Sequence, residues 1–213
     1  MSALSNFLAF LGLVTTLLMV WRQSRPARVR LLAAQSLLLA AQAVTIAAFT
    51  GRYGLLLVAA ALVVVKAWWI PRALARMGRG APPRPVAPGR SAGMQLLLAG
   101  ALVVGAYALM LPVTANSALP TRGGIPLAFA MALVGFYACV SGRDIMGQIL
   151  GFLMLENGIF ALGLLAAYGL PGLVEAGVFL DVLVVVLVTE GLVMQIRQEH
   201  AGLDVDLLRE LRG

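Results

Sequence analysis

Residues 147–167 read GQILGFLMLENGIFALGLLAA. Apart from Gln148, Glu156 and Asn157 the run is apolar or small throughout. About 20 such residues span the hydrocarbon core of a bilayer, so this stretch predicts a transmembrane helix. Glu156 falls near its middle. A charge at that depth costs roughly 2.5–3.5 kcal/mol on insertion scales, so it faces a partner, a cavity or an ion path. The next apolar run, 173–196, contains Asp181, and an earlier one, 54–70, contains Lys66. Two mid-membrane carboxylates on successive helices and a mid-membrane lysine point to proton or cation handling.

The whole chain agrees with this start. Only 12% of its residues are charged and its mean hydropathy is +0.95, whereas soluble domains carry about 25% charged residues. Seven runs have spanning length: 3–21, 31–50, 54–74, 94–114, 124–141, 147–168 and 173–196. Turn residues separate several of them, namely Gly51, Pro120, Gly123-Gly124, Ser141-Gly142 and the segment 169–172. Pro126 fits the first turn of the fifth helix. No basic region precedes the first run, so we read it as a retained helix rather than a signal peptide. The expected fold class is all-α, a polytopic integral membrane protein of about seven helices.

Arginine placement predicts the orientation. Arg22, Arg25, Arg28 and Arg30 lie in the first connection, Arg72, Arg76, Arg79, Arg84 and Arg90 at the third, Arg143 in the fifth, and Arg197, Arg209 and Arg212 in the tail. The alternate connections hold only Arg52 and Arg122. The positive-inside rule puts the N-terminus outside and the C-terminus in the cytoplasm, as an odd number of spans requires. The net charge of +7 thus lies on one face, which suits membrane lipid or an acidic partner and needs no nucleic acid. Four parts are expected: three helices over 1–74, a basic proline-rich loop over 75–93, four helices over 94–196, and a tail over 197–213. The loop's four prolines keep it extended. No internal repeat is visible, which argues against an inverted-repeat carrier.

Helix rise places the ionisable residues in depth. Glu156 lies roughly 14 Å from the cytoplasmic start of its helix, Asp181 roughly 12 Å and Lys66 roughly 18 Å from the outer starts of theirs. All three can share one polar layer. Desolvation disfavours the charged form of an acid and of an amine alike, so groups at that depth can exchange protons. The structural alternative is a static lysine–carboxylate bridge, or a lysine that snorkels along its stem. Glu190 lies nearer the cytoplasmic end and is a weaker candidate for ion entry. Nine positions separate it from Asp181, which places the two on opposite helix faces. Gln35 and Gln42 are seven apart and share a face, suited to packing or to a wet cavity. Asn157 can support the acid or bond a neighbouring helix. Gly147 and Gly151 form a small-xxx-small pair that favours close helix contact. Trp21, Trp68 and Trp69 read as interface anchors.

Other chemistry has little support. Cys139 is the single cysteine and His200 the single histidine. Internal disulfides, cysteine-held metal clusters and paired-histidine haem or copper ligation are therefore excluded within this chain. No nucleophile–base pair or phosphate loop is present, so the chain is expected to be non-catalytic and to hold no cofactor.

The stretch SGRDIMGQILGFLMLENG over 141–158 closely resembles hydrogenase-4 membrane component E, the HyfE family. The resemblance runs nearly end to end, through RLLAAQSL at 30–37, KAWWIP at 66–71 and GLDVDLL at 202–208. The last three runs, 124–196, also resemble the three-helix subunits NuoK of respiratory complex I and MrpC of Mrp-type antiporters. Those place an acid in each of two successive helices. Glu156 matches the first, and Asp181 stands where complex I carries glutamate. The resemblance implies a membrane-arm subunit of a complex I-related assembly in a bacterial or archaeal inner membrane. It also implies antiporter-like partners of the NuoL/M/N or MrpA/D kind, with a cytoplasmic hydrogenase or other oxidoreductase module in some assemblies. Nickel–iron and iron–sulfur centres would belong to those partners. The rival readings are an independent ion or solute carrier and a structural or assembly subunit.

Overall fold

The computed structural model describes residues 2–22, 24–77, 91–142 and 144–166. They form helices throughout, with no strand among them. The elements are α1 (Ser2–Trp21), α2 (Arg25–Thr50), α3 (Gly54–Ala61), a π-helical segment (Leu62–Trp69), α4 (Ile70–Met77), α5 (Ala92–Ala115), a 3₁₀ turn (Arg122–Gly124), α6 (Ile125–Ser141) and α7 (Ile145–Ala166). α3, the π-segment and α4 run on as one rod. Among the described residues, six spans are long and apolar enough to cross a membrane, so the chain is a multi-pass membrane protein. The expected seventh run, 173–196, lies outside the described residues, as do residues 78–90 of the proline-rich loop.

Short connections make α1 and α2, α2 and the third span, α5 and α6, and α6 and α7 antiparallel neighbours. Gly51 closes α2 in the left-handed region, at φ 68°, and its N–H donates to the Ala47 carbonyl. The bundle therefore has two ends. One carries Ser2, Thr50 and the 3₁₀ turn, where the Thr121 hydroxyl donates to the Leu165 carbonyl at 2.6 Å. The other carries the starts of α2 and α7, where Arg25 meets Asp144 at 2.9 Å. That bridge is about one-third exposed and is a modest latch.

Several helix ends differ from the hydropathy reading. α2 starts at Arg25, six residues before the apolar run at 31. Pro26 suits a first turn because its missing N–H would be unbonded there anyway. Arg25, Arg28 and Arg30 thus lie on the helix rather than in a connection; Arg30 is exposed, whereas the Arg28 Nε is buried. α7 starts at Ile145 rather than 147, because Asp144 accepts the Gly147 N–H at 3.0 Å and caps the first turn. α5 starts at Ala92, where the Ser91 hydroxyl accepts the Met94 N–H.

α6 and α7 pack backbone against backbone. A Cβ on Gly135 would strike Leu155, one on Gly151 would strike Cys139, and one on Gly158 would strike Ala132. Small residues allow this approach where lipid supplies no hydrophobic drive between helices. Gly147 instead abuts Asp144 and Gly142 of the preceding turn. Around this pair α1, α2 and the third span form one face of the core, with Met19, Leu32, Ile46, Leu62 and Met154 fully enclosed. α5 is mostly open, with Leu97, Val104, Leu111 and Val113 exposed, as befits a helix facing lipid or another chain.

Candidate functional site

Three elements bring their polar residues together at mid-height. α7 supplies Glu156 and Asn157, the π-segment supplies Lys66, and α2 supplies Gln35 and Ser36. Glu156 is eleven residues from the start of α7, about 16 Å along its axis, and ten from the last described residue of that helix. Lys66 meets it there, with Nζ 3.2 Å from Glu156 Oε1. Both side chains are at most 3% exposed, so the lysine does not snorkel to either surface.

The neighbouring amides complete the layer. Lys66 Nζ donates to Asn157 Oδ1 at 3.1 Å. Asn157 Nδ2 donates to Gln35 Oε1 at 3.1 Å and lies 3.4 Å from the Ser36 hydroxyl. Gln35 Nε2 donates to Thr16 Oγ1 at 2.8 Å, and Thr16 donates back to the Gly12 carbonyl on its own helix. One polar chain thus crosses from α7 through α2 to α1. The Phe160 ring lies 5.9 Å from Lys66 Nζ, giving the ammonium an aromatic face.

The local fold explains the placement. Lys66 lies in the π-helical segment Leu62–Trp69, directly after Val63, Val64 and Val65. Such segments recur at functional positions. The crevice beside Lys66, between Leu32, Ser36, Ile70, Leu153 and Asn157, is too narrow for a water molecule. The pair is therefore dry on that side.

Gln42 is buried on the same α2 face but lies two turns from Gln35, beyond the hydrogen-bonded layer. Gly151 serves the α6 contact. Trp21, Trp68 and Trp69 are exposed at the arginine-bearing end, and Arg72 stacks 4.2 Å from the Trp68 ring centroid. Asp181 and Glu190 lie outside the described residues. Among the described residues, no cluster of metal-ligating side chains occurs. Thr16 and Ser36 join the network without a sequence cue, because hydroxyls in membrane helices so often bond their own helix.

The chain is 34% identical to the uncharacterized protein Rv0085 of Mycobacterium tuberculosis, over 99% of this chain and 97% of that one. It is also 29% identical to hydrogenase-4 component E of Escherichia coli K12, over 100% of this chain and 99% of the relative. The chain belongs to the hydrogenase-4 component E family. The component E protein of Shigella flexneri shows the same 29% identity and coverage. No family-wide profile matches, and no solved structure matches. Within this component E fold, Glu156, Lys66, Asn157 and Gln35 form one contiguous layer.

Proposed function

We propose that this component E homologue is a membrane-arm subunit of a complex I-related hydrogenase or respiratory complex and contributes a step to proton or cation translocation. The carrying observation is the buried Lys66–Glu156 pair at mid-height, joined through Asn157 to Gln35. An ion pair removed from water is costly to keep and sensitive to any change of charge. Protonation of Glu156 weakens its hold on the Lys66 ammonium. Arrival or loss of charge nearby is then felt by the lysine, which lets the pair couple to a neighbouring site. Asp181 and Glu190 would continue the path in the 173–196 helix, as the NuoK-like and MrpC-like resemblance implies.

In this reading the N-terminus faces outside, and the arginine-bearing end faces the cytoplasm of a bacterial or archaeal cell. The partners are antiporter-like membrane subunits with, in a hydrogenase assembly, a cytoplasmic redox module. That module holds the nickel–iron and iron–sulfur centres, and this chain itself is non-catalytic. A packing role is the competing reading, favoured by the narrow crevice beside Lys66. Glu156→Gln separates the two. The amide keeps the volume and can still accept from Lys66, so the complex should assemble with redox turnover and without coupled proton movement in vesicles. Full proton movement with the glutamine variant would leave only the packing role.

A further inference from the structure

Each link of the mid-height layer has a direction, and the charge on Lys66 dictates it. An ammonium group carries donors only. Asn157 must therefore turn its amide oxygen to Lys66, as it does at 3.1 Å, and its amide nitrogen away. Two acceptors on α2 face that nitrogen, Gln35 Oε1 at 3.1 Å and Ser36 Oγ at 3.4 Å. With its oxygen so used, Gln35 turns its own nitrogen to Thr16 Oγ1, 2.8 Å away. Ser36 and Thr16 can accept because each donates its proton to a carbonyl of its own helix. Those carbonyls belong to Leu32, at 3.0 Å, and Gly12, at 2.8 Å. Every donor in the chain points away from the lysine, and it ends on backbone carbonyls, which only accept.

Burial makes this direction hard to break. Asn157, Gln35, Ser36 and Thr16 are each at most 1% exposed. The crevice between Ser36, Asn157 and Lys66 has no room for a water that could replace a lost link. An Asn157 amide that turned over would set nitrogen against nitrogen at Lys66. It would also set oxygen against oxygen at Gln35. Both arrangements leave buried polar groups without partners, which is strongly disfavoured away from water. A fully satisfied buried network of this kind holds its members in one arrangement.

We infer that Thr16, Gln35 and Ser36 are positioning residues that lock the Asn157 amide, so that its oxygen clamps the Lys66 ammonium beside Glu156 whether or not that acid is charged. Glu156 and Asn157 are successive residues of α7, and Lys66 Nζ is shared between them at 3.2 Å and 3.1 Å. A proton on Glu156 weakens its pull on the ammonium. Asn157 is neutral throughout, so its hold does not change. The Phe160 ring, 5.9 Å from Nζ, supports the ammonium independently of the acid as well. Without the clamp the long lysine stem is free to swing its charge away from the layer. With it, the lysine stays in place for the return of charge to Glu156. This use of the clamp in transport rests on the function proposed above, but the positioning itself does not.

Lys66 is the single lysine of the chain, which makes the contact directly measurable. The full-length chain, isotope-labelled at the lysine side-chain nitrogen and the asparagine side-chain carbonyl carbon, is placed in lipid bilayers. Solid-state NMR then reads the dipolar coupling between Lys66 Nζ and Asn157 Cγ. Glu156→Gln, which mimics the protonated acid, should keep this coupling. Thr16→Val should lose it, and Thr16→Ser, which restores the hydroxyl, should keep it. Thr15→Val is the control. Its hydroxyl donates to the same Gly12 carbonyl at 2.7 Å but lies outside the chain, so the coupling should persist. Full coupling in Thr16→Val, equal loss in Thr15→Val, or loss in Glu156→Gln would each overturn the inference. Should Thr16→Val fail to accumulate, Gln35→Met cuts the same chain one link nearer the lysine and gives the same decision. Coupling lost in Thr16→Val, with full proton movement by a Glu156→Gln complex, would leave the positioning standing and remove the transport role. Coupling kept in Thr16→Val, with proton movement lost in Glu156→Gln, would do the reverse.

Discussion

At the residue scale the Lys66–Glu156 pair dominates. Removing one partner of a buried ion pair leaves a charge without its counterpart and typically costs about 3–5 kcal/mol. Lys66→Leu should therefore lower thermal stability in detergent markedly. The double variant Lys66→Leu with Glu156→Leu should recover much of the loss, because apolar replacement of a whole pair is often neutral. A double-mutant cycle read by thermal unfolding checks this, and strict additivity would mean that the two side chains do not interact. Asn157→Leu should act differently. It strips an acceptor from Lys66 and a donor from Gln35 at once, so it should cost about 1–3 kcal/mol even with the ion pair intact.

At the element scale the α6–α7 contact and the π-segment set the site. Gly151 faces the Cys139 backbone with no space for a side chain, so Gly151→Leu must push the helices apart. The expected penalty is about 1–3 kcal/mol or more, seen as a lower melting temperature and poor yield. Gly100 on α5 has open space where a Cβ would stand, with nothing within 4 Å, and Gly100→Ala should be neutral or slightly stabilising through helix propensity. A similar loss in both would show that the close contact is not what matters. The six described spans were legible from sequence because hydropathy over a bilayer's thickness needs no tertiary information. The helix ends were less legible. Arg25 to Arg30 read as a connection because charge suggests solvent, while the structure winds all three arginines into the first turns of α2 and buries the Arg28 Nε. The π-segment depends on which carbonyl each N–H selects, which no residue type announces. Gly135 and Gly158 carry close contacts as Gly151 does, yet they belong to no short motif with it.

At the scale of the whole molecule, the types of the site residues were readable and their pairing was not. Glu156, Lys66, Asn157 and Gln35 stand out as polar groups in apolar runs, and helix rise put the acid and the lysine at like depth. Which helices adjoin is fixed by packing among spans 91 residues apart in sequence for Lys66 and Asn157, and nothing local encodes it. The open flank of α5 and the full-length likeness to component E proteins lead to a prediction for the assembled state. Purification through this chain in mild detergent should recover antiporter-like subunits, identified by mass spectrometry, and with them a redox module if the assembly is a hydrogenase. Recovery of the chain alone would favour an independent carrier.

The mid-height position of Glu156 has an electrical consequence. A full crossing of the membrane couples each elementary charge to about 2.3 kcal/mol per 100 mV. A charge that travels from one face to a residue equidistant from both experiences about half of that, roughly 1.1 kcal/mol per 100 mV. Filling Glu156 from one side and emptying it to the other would therefore split the work against the membrane voltage into two nearly equal steps. A sudden change of voltage should then shift proton occupancy at this residue with an apparent valence of about one half, whichever direction the complex runs.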